Sequence, residues 1–84
     1  METKITVLTE RNTLVGHFER TETGIVLHDA AVVRRWGTTK GLGELALKGP
    51  RKETILDKCG RAEIPDHAII VLIDCNEKAW EDKL

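Results

Sequence analysis

No uninterrupted apolar run in this 84-residue chain is longer than six residues, Ala68 to Ile73. A bilayer crossing by helix needs about 20, so the pattern argues against a membrane protein. There are only two cysteines, Cys59 and Cys75, which is too few for a disulfide scaffold of this size. Met1 to Thr6 shows neither the basic stretch nor the apolar segment of a secretory signal. Together these features predict a reduced, cytoplasmic setting.

Catalytic and metal-binding patterns are also scarce. Cys59, Cys75, His17, His28 and His67 show no close Cys-x-x-Cys or His-x-x-x-His spacing. His28 and Asp29 are adjacent, so on a strand they would face opposite ways, and no nucleophile stands beside them. Gly41-Leu42-Gly43 lacks the third glycine and the later acidic residue of a dinucleotide fingerprint. The expectation is a protein that is not an enzyme and has no cofactor and no metal.

What the chain does have is a globular balance, 40% hydrophobic and 32% charged. Its mass of 9.4 kDa accommodates one domain, residues 1–84. A chain this short buries only roughly 60% of its unfolded surface. Subunit contacts are one remedy, and a homo-oligomer is expected, as a dimer or a hexamer. The net charge of −1 conceals a strong asymmetry. Residues 34–61 carry eight basic and three acidic groups, against net charges of −2 before them and −4 after them. A basic centre between acidic flanks predicts an anionic partner of limited size, with long nucleic acid less favoured.

The hydrophobic pattern reads mainly as strand. Thr3 to Glu10, Leu14 to Arg20, Gly24 to His28 and Ala31 to Trp36 each suit a strand. Turns are expected at Arg11-Asn12, Thr21 to Gly24 and Asp29-Ala30. Gly16, in mid-strand, predicts strong bending or close backbone approach. Thr38 and Thr39 are placed to cap a short helix holding Leu42, Leu45 and Ala46, with Gly49-Pro50 ending it. Residues 50–60 read as a polar loop, Arg61 to Ile64 as a brief strand, and Ala68 to Cys75 as a buried strand. Asn76 is placed to cap a last helix, Glu77 to Leu84, with Ala79, Trp80 and Leu84 turned inward. The fold class expected is mainly β: a small, strongly bent barrel with a short inserted helix and a C-terminal helix.

Leu14-Val15-Gly16-His17-Phe18, followed by Gly24 to Ala30, resembles the first motif of Sm-like barrels over roughly residues 13–31. The resemblance implies a bent hairpin and an Sm-like core. Sm-like RNA binders place an Asp and an Asn in the hairpin turn, whereas this chain has Glu19 to Gly24 there. Their Arg-Gly pair after an apolar strand is missing from Val71 to Asn76. Gly16 to Phe18, Ala31 to Trp36, Leu42 to Ala46 and Ile69 to Asp74 are similar to a group of short phage and prophage proteins, with Val33 where the first of two paired arginines often sits. Phage proteins of this size include oligomeric sponges that trap nucleotide immune signals. The analogy implies a counter-defence protein in the host cytoplasm, sequestering a cyclic nucleotide or an ADP-ribose-like molecule. The alternative is an Sm-like accessory factor that binds RNA or protein.

The residues expected to bind such a ligand are Arg34, Arg35, Trp36, Thr38, Thr39 and Lys40. Guanidinium groups grip phosphate in a fork, and indole offers a stacking face for a base. Strand alternation would aim only one of the two arginines at the ligand. The structural alternative is a solvated basic face with the tryptophan against the core.

Overall fold

The first two strands are buried on both faces over part of their length, at Ile5 and Thr6 in one and from Thr13 to Gly16 in the other. The computed structural model describes residues 1–9 and 12–84, with β1 at Thr3–Leu8 and β2 at Thr13–Arg20. The turn expected at Arg11-Asn12 falls partly outside the described residues, as does Glu10 at the end of the first expected strand. β3 spans Gly24–Arg35, β4 Ile55–Pro65 and β5 Ile69–Asp74, with a 3-10 turn at Asp66–Ala68 between the last two. Helix α1 is Leu42–Lys48 and α2 is Glu77–Trp80. All neighbouring strands are antiparallel, in the order β4-β3-β2-β1-β5. The protein is therefore mainly β, an open five-stranded sheet with short helices.

Three expectations are corrected. The strand expected to be buried, Ala68 to Cys75, is an edge strand with Ile70 and Val71 exposed, because only one side of it is paired and covered. Gly24 to His28 and Ala31 to Trp36 are not separate strands, because Asp29 and Ala30 form an interruption within β3 rather than a turn. Asp29 has φ 50°, and the pairing with β4 slips between Leu27 and Ala30. Aspartate tolerates this left-handed conformation better than most residues, so the chain bulges and continues beside the same partner. The segment read as a loop over residues 50–60 is also partly strand, since Ile55 to Gly60 belong to β4. Asp57, Lys58, Cys59 and Gly60 are all exposed. An edge strand that is wet on both faces shows no alternation to read.

The bend at Gly16 is present. A Cβ there would stand 2.9 Å from Leu27 Cβ and 3.2 Å from Ala30 Cα, and the β2–β3 register slips between Val15 and His17. The bend lets both faces of the sheet be covered. On one face Ile5, Val15, Ala31 and Val33 lie under Leu45 and Ala46 of α1 and Trp80 of α2. On the other, Leu14, Ile25, Leu27 and Ala30 meet Ile64 of β4, with Ile69 and Leu72 of β5 packed against them. β4 and β5 stand at opposite ends of the strand order, yet they fill one apolar cluster. The sheet must therefore curl over that face.

The helices are fastened by few but well-placed bonds. Trp80 Nε1 donates to the carbonyls of Leu45 and Ala46 at 3.2 and 3.1 Å. Asn76 Oδ1 accepts from the Lys78 amide at 3.1 Å, as an N-cap should. The last helix is shorter than expected and stops at Trp80, with Asp82 at φ 63° beyond it. Its side chains still face the core, with Trp80 buried and Ala79 and Leu84 packed beside it. Among the described residues, no helix is long and apolar enough to cross a membrane.

Candidate functional site

The end of β3 and the connection to α1 carry the six residues picked out by sequence. Arg34 and Arg35 are 64% and 62% exposed, so neither is the inward one that alternation predicts. They lie where β3 ends, beside a slip in the pairing between Val33 and Arg35. Arg34 makes a two-point contact with Asp57 on β4, at 2.7 Å from Nε and 3.2 Å from Nη2. That guanidinium holds the Asp57 carboxyl below its ordinary range. Arg35 Nη1 stands 3.6 Å from Glu53.

Trp36 is 45% exposed. A Cβ added to Gly41 would touch its ring at 3.5 Å, so the indole lies against the start of α1. The Trp36 carbonyl accepts from Thr54 Oγ1 at 2.6 Å, and that same oxygen accepts from the Arg51 amide at 2.8 Å. The turn from Arg51 to Thr54 closes with the Thr54 amide donating to the Arg51 carbonyl at 3.1 Å. Trp36 and Arg51, fifteen positions apart in sequence, are thereby tied through one hydroxyl.

The expected cap by Thr38 and Thr39 is corrected. The N-cap of α1 is Gly41, without a side-chain cap bond. Thr38 Oγ1 donates to the Gly41 carbonyl at 2.6 Å, and Thr39 Oγ1 donates to Glu44 Oε1 at 2.9 Å. The Lys40 amide donates to the same carboxylate oxygen at 3.1 Å. A first-turn carboxylate reaching back to an amide ahead of the helix satisfies a donor that the threonines leave free.

Thr39, Lys40 and Glu44, together with Leu47, Lys48 and Arg51, line a cleft of about 390 Å³. Lys48 and Arg51 were legible only as part of the general basic excess. Glu44 and Lys48, four apart, share a face of α1, whereas Lys40 and Arg51 reach the cleft from the segments that flank the helix. A second cleft, about 430 Å³, lies where the turn at Thr21 to Gly24 meets Arg61, Glu63 and Pro65 of β4. It contains none of the residues expected from sequence.

Two of the histidines have carboxylates nearby, while the buried Thr6 hydroxyl has no hydrogen-bond partner among the described residues. His28 Nε2 lies 2.7 Å from Glu19, and His17 Nε2 lies 4.0 Å from Asp29. Among the described residues, no three His, Cys, Asp or Glu side chains converge as a metal site would require. Burial pushes the Cys75 thiol up to about 12, with the Glu77 carboxylate adding to the effect, so it stays protonated at neutral pH. Cys59 is exposed on β4. Comparison with protein-family models and with curated proteins finds no match to this chain.

Proposed function

We propose that this is a non-enzymatic accessory protein of phage type that binds and sequesters a small phosphorylated nucleotide, cyclic or ADP-ribose-like, and so inhibits a host antiviral signal. The observation that carries this reading is the β3–α1 connection, where a half-exposed indole is flanked along the chain by exposed cations. Trp36 is available to stack on a base, while Arg34, Arg35 and Lys40 are exposed around it, with Thr38 and Thr39 between them. Base stacking and charge-assisted phosphate contacts are the two interactions a nucleotide needs. The curl of the sheet supports an Sm-like barrel as its scaffold.

Calorimetric titration with ADP-ribose, a cyclic dinucleotide and a short RNA tests the reading. The nucleotides are expected to bind, unchanged on recovery, and the RNA to bind no more tightly. Single alanine substitutions at Arg34, Arg35 and Lys40 test the residues. At least one should lose roughly 1.5–3 kcal/mol, about ten- to hundredfold in affinity. If all three bind as the parent does, the basic segment is a solvated face.

Assembly is part of the proposal. β4 and β5 are open edges, and open edges invite pairing with another strand. β4 carries exposed Lys58 and Arg61, whereas β5 carries exposed Ile70, Val71 and Asp74. These edges support head-to-tail contact between copies as well as a dimer. Light scattering should return a multiple of 9.4 kDa. A monomer alone at micromolar concentration would remove the oligomer from the proposal.

A further inference from the structure

We infer that the ligand's phosphates are held by Lys40, Lys48 and Arg51 in the cleft along α1, and that the ligand carries at least two phosphate charges, as a diphosphate does. This rests on the nucleotide reading above but moves its anionic half from the arginine pair to Lys40 and to two residues, Lys48 and Arg51, that the sequence did not single out. Three observations carry it.

The first is availability. Arg34 already has a two-point partner in Asp57, and Arg35 has Glu53 within 3.6 Å. A phosphate binding there must displace a carboxylate. Among the described residues, none of Lys40, Lys48 and Arg51 has a carboxylate within ion-pair distance, and all three are exposed.

The second is charge. The cleft has three cations and one carboxylate, and that carboxylate, Glu44, is turned to Thr39 and the Lys40 amide. The surplus of two positive charges matches a ligand with two or more negative ones. Lys40 immediately precedes the cap of α1 and Lys48 ends the helix. The six helical steps from Leu42 to Lys48 alone rise about 9 Å. That spread suits a chain of phosphates better than a single one.

The third is linkage to the aromatic group. Arg51 belongs to the turn that Thr54 clips to the Trp36 carbonyl. One member of the phosphate grip is therefore tied through a single hydroxyl to the backbone that carries the stacking face. Exposed Leu47, at 61%, adds an apolar patch to the cleft for a sugar or base edge.

Inorganic pyrophosphate, orthophosphate and ADP, titrated in low salt into the parent and into the Lys48→Ala, Arg51→Ala and Arg34→Ala variants, test this. These side chains are exposed, so folding should survive substitution, and circular dichroism checks it. Pyrophosphate should bind at least tenfold more tightly than orthophosphate. Lys48→Ala and Arg51→Ala should each weaken both pyrophosphate and ADP about ten- to hundredfold, with Arg34→Ala within about twofold of the parent. If Lys48→Ala and Arg51→Ala bind ADP as the parent does while Arg34→Ala does not, the inference is overturned and the nucleotide reading stands. If pyrophosphate depends on Lys48 and Arg51 but ADP binds no more tightly than pyrophosphate, the phosphate cleft stands and the base-stacking reading fails. A parent that binds neither anion overturns both.

Discussion

Replacing Trp80 with alanine should remove about 3–5 kcal/mol of stability, as measured by urea denaturation. The side chain is 2% exposed and joins α2 to the cluster of Ile5, Val15, Val33 and Leu45. Chains of this length are stable by only about 4–13 kcal/mol, so the loss would take a large share of the total. Trp80→Phe separates packing from hydrogen bonding. It keeps most of the volume and loses two indole bonds. The bared carbonyls do not become orphans, because Leu45 still accepts from the Gly49 amide and Ala46 from the Asn76 amide. The expected cost of Trp80→Phe is therefore about 1–2 kcal/mol. A Trp80→Phe variant as unstable as Trp80→Ala would mean that hydrogen bonding, rather than buried apolar volume, holds α2 in place.

The same substitution at two glycines of the α1 region should have opposite signs. Gly49 has φ 80° and ψ 179°, a region that side-chain-bearing residues scarcely enter. A Cβ there would also stand 2.5 Å from the Ala79 carbonyl oxygen, which is backbone and cannot swing away. Gly49→Ala should cost about 1–3 kcal/mol in conformational strain and a further 1–3 kcal/mol or so in overpacking against α2. At Gly43, inside the helix, a Cβ would meet nothing within 4 Å. Gly43→Ala should therefore stabilise by about 0.5–1 kcal/mol through helix propensity alone. Thermal melts of the two variants check both signs. A neutral Gly49→Ala would show that the α1–α2 junction is loose.

These two glycines also show what could and could not be read from the chain. Gly49 before Pro50 was legible as a helix stop, because the punctuation is local. The contact that makes Gly49 indispensable is with Ala79, thirty positions away, and no local pattern encodes it. β1 and β2 were readable from strand-favouring residues such as Ile5, Val7 and the threonines, although burial on both faces leaves little alternation. Of β4 only Arg61 to Ile64 was readable, because the exposed stretch before it keeps only its hydrogen bonds, which leave no trace in side-chain type. The basic segment was legible as charge. Its partition was not, since whether an arginine is free depends on Asp57 and Glu53 arriving from another strand and its preceding turn.

The curl of the sheet is enforced by a tether. Four strand-to-strand steps separate β4 from β5 in the order β4-β3-β2-β1-β5. At about 4.8 Å per step a flat sheet would place them roughly 19 Å apart. Pro65 and Ile69 are joined only by the turn Asp66–Ala68, and four residue steps reach at most about 14 Å. The flat form is out of reach while β5 stays paired with β1. Curvature and the β1–β5 seam are thus one mechanical property. To unroll, the sheet must first release β5, and that release would bare the β1 edge together with the apolar residues Ile69 and Leu72 that line the inner face.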